Sequence, residues 1–218
     1  MAGLPDTPLG LIGGLLILAV VMALSNWTTT TIIRVMVRRL ASRTKSTWDD
    51  RIIERKAFAR LAHVVPAVLA YYGIGLALGV TAADIASLAD PDVVFTTPVR
   101  PLILAATLVQ RVALAFIVVT AAVAFSSFLE AANDIYNESY AESKNRPIKG
   151  YLQVVSLLAY IAAGVVAVSL LAQVSPIAFL SGLGALMAII ILVFKDTILS
   201  LVASIQIMSN DMIRIGDW

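Results

Sequence analysis

Long apolar runs separated by short polar stretches set the pattern of this chain. A helix needs about 20 mostly apolar residues to cross a bilayer, within a range of about 17–25. Five segments meet that length. The first extends from Leu9 to about Val37, with its apolar core at Leu11–Leu24, and the second is Leu61–Val80. The third lies within Pro101–Leu129, and the fourth is Tyr151–Ala172. The fifth is Ile177–Phe194, with helical periodicity continuing to about Met212. Punctuation agrees with these boundaries. Ser175-Pro176 supplies a capping hydroxyl and a first-turn proline for the fifth helix. Pro98 and Pro101 bracket the entry to the third, and Pro66 predicts a kink in the second. Ser46-Thr47-Trp48-Asp49-Asp50 sets a capping hydroxyl ahead of two carboxylates, at the start of a lead-in to the second span.

Composition turns this pattern into a class. Apolar residues make up 60% of the 218, and charged residues 14%. Soluble domains run at about 45–50% and about 25%. The mean hydropathy is +0.91. A water-soluble fold has nowhere to put so much apolar surface, and disorder, collagen and coiled coil are excluded too. The fold class predicted is an all-α, polytopic membrane protein with five transmembrane helices per subunit. There is no cysteine, which excludes disulfides, thiolate chemistry and cysteine-ligated metals. The single histidine, His63, excludes a multi-histidine metal centre within one chain. Residues 1–8 carry no Lys or Arg, so the first run reads as a retained helix rather than a cleaved signal.

The charge distribution predicts orientation. Nine basic residues lie between the first two spans: Arg34, Arg38, Arg39, Arg43, Lys45, Arg51, Arg55, Lys56 and Arg60. The next connection, 81–100, holds only Arg100. Lys144, Arg146 and Lys149 follow the third span, and Lys195 and Arg214 follow the fifth apolar core. Basic connections stay in the cytoplasm, so the N-terminus is expected outside and the C-terminus inside.

Two charged ridges fall on that cytoplasmic side. Glu130, Asp134, Glu138 and Glu142 recur every four residues, which aligns them on a helix. Like charges so spaced repel by a few tenths of a kcal/mol per pair, so a compensating partner is expected. Arg51, Arg55, Lys56 and Arg60 form a basic ridge able to supply it. The two ridges either dock beneath the bilayer or remain separate solvated faces, and a carboxylate metal site is a third reading. Arg111 is the one basic residue inside an apolar run. It is a mid-membrane functional group or a side chain snorkelling to the outer headgroups. His63 reads as a pH sensor or an interfacial side chain, and Trp27, Trp48 and Trp218 as interfacial anchors.

The fifth span carries the most specific signal. Ala178, Ser181, Ala185, Ala188, Leu192 and Lys195 step by three or four residues and share one helical face. Small faces let helices approach closely in membranes, either within a monomeric bundle or in a ring of identical helices around a pore. Lys195-Asp196-Thr197 then interrupts the apolar run. Ile198, Leu199, Leu201, Val202, Ile205 and Met208 resume a helical period, as in an interfacial amphipathic helix capped by Asp196. Residues 213–218 read as the start of a strand and turn.

Lys195-Asp196-Thr197-Ile198-Leu199, with Ser209-Asn210-Asp211-Met212-Ile213-Arg214-Ile215-Gly216-Asp217-Trp218, resembles the small-conductance mechanosensitive channel family. The likeness is to its five-helix miniconductance branch. Arg146-Pro147-Ile148-Lys149-Gly150-Tyr151 and Trp48-Asp49-Asp50 fit that branch as well. The specific likeness covers about Arg146 to Trp218. It implies a homoheptamer in a bacterial inner membrane, opened by tension to release ions and small osmolytes in hypo-osmotic stress. Residues 1–145 would hold three peripheral tension-sensing helices and 146–175 the fourth. Residues 176–213 would form the pore-lining and interfacial helices, and 214–218 the start of a truncated β-domain. Ser181, Ala185, Ala188, Leu192 and Lys195 would line the pore, which would break at Lys195-Asp196. Leu192 stands at the family's inner constriction, Ala188 replaces its second constriction leucine, and Asp196 replaces its break glycine. The implied partners are identical copies, lipids and permeating solutes, with no nucleic acid and no cofactor. The competing readings are a secondary transporter and a non-conducting membrane scaffold. An enzyme is disfavoured because no nucleophile and base can be assembled from these residues.

Overall fold

The structure, a computed structural model, describes residues 8–41, 55, 57–86, 100–140, 143 and 147–210. The helices are α1 (Pro8–Ala41), α2 (Ala57–Leu61), α3 (Val64–Leu78), α4 (Ala82–Ala86), α5 (Arg100–Ser139), α6 (Lys149–Ala172) and α7 (Pro176–Ser209). No strand occurs among the described residues. Among the described residues five helical stretches are long and apolar enough to cross a bilayer: Leu9–Met36, Phe58–Leu78, Pro101–Ser139, Lys149–Ala172 and Pro176–Ser209. The chain is a multi-pass membrane protein, all-α over the described residues. Its wide exposed apolar surface, from Leu9 and Ile17 on α1 to Leu192 and Met208 on α7, is what lipid and neighbouring helices cover.

The second span differs from the expected kinked helix. The chain forms α2, turns at Ala62 and His63, and restarts as α3. Pro66 therefore sits in the first turn of α3 rather than mid-helix. A proline lacks the N–H that would bond the carbonyl four residues back, and its ring crowds that carbonyl. Breaking the helix at Ala62 removes both conflicts, and His63 N and Val65 N instead donate to the carbonyls of Arg60 and Ala62, at 3.2 and 3.4 Å. At its other end α3 closes on Gly79, whose φ of 67° is the left-handed geometry that glycine adopts without strain. Val80 N donates to Gly75 O at 2.8 Å and Gly79 N to Leu76 O at 3.3 Å, the paired bonds of a Schellman cap.

The fifth span also differs. The expected break at Lys195 and Asp196 is absent, and α7 runs 34 residues without interruption. Lys, Asp and Thr carry no helix-forbidding geometry, and neither Gly nor Pro falls between Ala185 and Ser209, so the backbone ladder simply continues. Its start is as read from the sequence: Ser175 Oγ accepts from Ala178 N at 3.1 Å and Pro176 opens the first turn. The strand expected at 213–218 and the Trp48-Asp49-Asp50 cap lie outside the described residues.

The chain divides into two compact units, residues 1–173 and 174–218. In the first, α5 lies between α3 and α6, and α1 packs on α3. Gly14 of α1 meets the Ala77 backbone of α3 so closely that an added Cβ would collide with the Ala77 carbonyl oxygen. Ile74, Leu78 and Val80 pack with Ile103 and Ala106 at one end of α5. Buried small residues line the rest, including Ala124, Ser127 and Ala131 on α5 and Ala163, Ala167 and Ser169 on α6. The buried hydroxyls of Thr107, Ser127 and Ser169 bond their own helices, as Ser169 Oγ does to Val165 O at 2.7 Å, while Ser126 Oγ reaches Ser156 and Ser143 Oγ reaches Asn137 O. That leaves no hydroxyl proton unpaired in an apolar setting.

Candidate functional site

Two regions gather the residues singled out by the sequence. The first is α7. Ser181, Ala185, Ala188, Leu192 and Lys195 lie along one face of a single helix, spanning about 21 Å at 1.5 Å per residue. All five are exposed, Leu192 at 74%. Ser181 Oγ donates to Ile177 O at 2.9 Å, so its hydroxyl is satisfied within the helix. A Cβ added at Gly182 or Gly184 meets nothing within 4 Å. Lys195 follows Pro176 by nineteen positions, about 28 Å of helix. A hydrocarbon core is about 30 Å thick, so an upright α7 puts the Lys195-Asp196 charges at its far edge.

The second region is where α2 meets α5. Arg55 Nε and Nη2 donate to Asp134 Oδ2 and Oδ1 at 2.7 and 3.1 Å, and Nη1 donates to Glu130 Oε2 at 3.1 Å. This fork geometry is available to arginine and not to lysine. The hydrogen bond from Arg55 to Asp134 is the main cause that raises the guanidinium's pKa above its ordinary value, with the charge of Glu130 adding to it. Three positions further on, in α2, Phe58 meets the ring of Phe128 edge-on with centroids 5.4 Å apart. Arg60 Nη1 donates to Ser127 Oγ at 2.5 Å and to Val123 O at 3.2 Å. Three successive contacts thus fasten α2 along residues 123–134 of α5.

The basic and acidic ridges therefore dock, as the first of the sequence readings has it. The sequence had grouped Arg60 with the carboxylate partners, and it bonds a hydroxyl and a carbonyl instead. Arg51, Glu142 and Lys56 lie outside the described residues. Among the described residues no three His, Asp or Glu side chains converge as metal ligands.

Beside Arg55 a cleft of about 620 Å³ opens between α5 and α6, with Glu130, Lys149, Gln153, Ser156 and Tyr160 in its walls. Ser126 and Ser156 bridge the two helices at 3.4 Å. Asn133 also lines the cleft, and its Oδ1 is buried with no hydrogen-bond partner among the described residues. An apolar groove of about 610 Å³ runs between α1, α3 and α5, walled by residues such as Ala23, Ala70, Val112 and Phe116. At one end His63 Nδ1 and Asn26 Oδ1 stand 3.1 Å apart. Arg111 is half-buried on α5, next to Gln110, whose Nε2 donates to Tyr71 O at 3.2 Å. It lies sixteen positions, about 24 Å, from Ser127.

Sequence reasoning missed Asn26, Asn133, Gln153 and Ser156. Their signal was there: each is a polar residue inside an apolar helix.

No family model and no solved structure matches this chain.

Proposed function

We propose that this chain is the subunit of a tension-gated, weakly selective channel, related to the five-helix branch of small-conductance mechanosensitive channels. The observation that carries the reading is α7. It is about 51 Å long at 34 residues, against a core of about 30 Å, and none of its residues is buried. Beyond Lys195 it still presents Ile198, Leu201, Val202, Ile205 and Met208 at the surface. Apolar surface of that length needs a cover that one upright crossing does not supply. Identical helices around a central axis supply it, with the small face of Ser181, Ala185 and Ala188 at their close approach.

In this reading seven copies assemble in a bacterial inner membrane, with the N-terminus periplasmic and the basic connections cytoplasmic. Leu192 forms the hydrophobic ring that closes the pore by excluding water. Lys195 stands one turn further along and biases the permeating ions, with Asp196 opposing it. Tension favours the state with the larger in-plane area, and the outer helices sense it through lipid contact and bilayer thickness.

Patch recording under graded suction tests this in reconstituted liposomes. Leu192→Ser hydrates the ring and lowers the opening threshold or leaves the pore leaky. Ile190→Ser, on the opposite face, changes it much less. Equal thresholds for Leu192→Ser and wild type reject Leu192 as the gate. Solute flux without tension-gated unitary currents favours a transporter, and neither favours a scaffold.

A further inference from the structure

The cleft between α5 and α6 has a graded chemistry. Its mouth carries both charge signs. Arg55 faces Glu130 and Asp134, which leaves one negative charge in excess, and Lys149 stands on the α6 wall. Glu130 is the accessible member, with its side chain 53% exposed and a single 3.1 Å bond to Arg55. Hydrogen-bond donors follow, with Gln153 and Ser156 about 6 and 10 Å beyond Lys149 along α6. Leu157 and the Tyr160 ring come after them, both exposed on the outside of a membrane-spanning helix. Charges of both signs, then donors, then apolar wall is the order in which a phospholipid presents its headgroup, ester carbonyls and chains. The excess negative charge at Glu130 suits a primary ammonium, which has three N–H donors; a choline headgroup has none.

We propose that this cleft is a binding site for one phospholipid of the phosphatidylethanolamine type. Its ammonium bonds Glu130, its phosphate faces Lys149, its ester oxygens accept from Gln153 and Ser156, and one chain lies along Leu157. The proposal stands apart from the conduction reading, because it concerns the α5–α6 cleft and Arg55 rather than α7 and is read without currents.

The test uses the full chain in phosphatidylcholine nanodiscs doped with a photo-crosslinking phosphatidylethanolamine, and labelled peptides are mapped by mass spectrometry. Label is expected on 126–137 and 149–160. Unlabelled phosphatidylethanolamine should compete about tenfold better than phosphatidylcholine or phosphatidylglycerol, the worth of one charge-assisted hydrogen bond. Glu130→Gln should abolish that preference. Leu157→Trp should fill the cleft and remove the label while leaving every charged group in place. Equal competition by the three lipids overturns the proposal. So does a preference for phosphatidylglycerol that depends on Lys149, or label that survives Leu157→Trp. Cleft residues that cross-link instead to a second copy of the chain assign the cleft to an interface and likewise overturn it.

Discussion

Asp84 illustrates how much a single local contact decides. Its carboxylate accepts from Thr81 Oγ1 at 2.6 Å and from Thr81 N at 2.7 Å. These bonds, the hydroxyl's first, hold its pKa below the ordinary carboxylate value. A carboxyl depressed in the folded state stabilises the start of α4 above its ordinary pKa, and the contribution is lost as pH falls through the depressed one. Thr81→Val removes the hydroxyl bond, so the Asp84 titration followed by carboxyl NMR should move upward, toward the ordinary range. An unmoved titration would show that the backbone bond alone sets it. The Thr81–Asp84 contact is a spacing of three, yet Asn26 and His63 are 37 positions apart. Pairs of the second kind leave no trace in a single sequence beyond a polar letter in an apolar run. Arg55 was legible in kind, because an unbalanced acidic ridge requires a cation. Its choice of Asp134 over Glu138 was not, because it depends on how far α2 descends along α5.

At the scale of helices, close approach and fastening make separate predictions. Leucine at Gly14 should overpack the α1–α3 contact and cost about 1–3 kcal/mol. Gly13→Leu is the control, since an added Cβ there meets nothing within 4 Å. Thermal unfolding in detergent compares the two, and equal losses would remove the α1–α3 contact as the cause. For the α2 clasp, a double-mutant cycle between Arg55→Gln and Asp134→Asn should give a coupling of about 0.5–1 kcal/mol. That is the range of an exposed ion pair, since Arg55 is 42% exposed and solvent screens it. The coupling should shrink as salt rises, and a coupling of zero at low salt contradicts the clasp. Helix existence was plain in the sequence because apolar length is conspicuous. Helix continuity was less so. The polar Lys195-Asp196-Thr197 run reads as an interruption, but polarity alone does not break a hydrogen-bond ladder. At Pro66 the reverse held: the right residue marked an interruption that the chain moved four positions upstream.

For the whole molecule, the number of spans follows from composition, whereas what surrounds α7 cannot follow from one chain. A Cβ added at Gly184 meets nothing within 4 Å among the described residues. A change in oligomer size on Gly184→Leu or Ala185→Leu, measured by mass photometry in nanodiscs, therefore reports an intermolecular contact. Unchanged size with unchanged conduction counts against the ring. Topology is equally open to measurement, because a chain without cysteine makes every engineered thiol unique. Thiols at Ser46 and Ser139 should label from one side and a thiol at Ser87 from the other. Ser139 is preferred to Ser143, which is buried and donates to Asn137 O at 3.2 Å.

The clasp also has a timetable. Glu130 and Asp134 follow Arg55 by 75 and 79 residues. At about 5–20 residues per second, the ribosome delivers them about 4–16 s after Arg55. Throughout that interval Arg55 lacks the two carboxylates it holds in the folded chain. Pairing with these carboxylates waits until residues 130–134 of α5 have been made. One arginine thus has two successive settings, without those two carboxylates while the first connection is made and bonded to them afterwards. Moving its carboxylate partners upstream, ahead of α3, would merge those two settings.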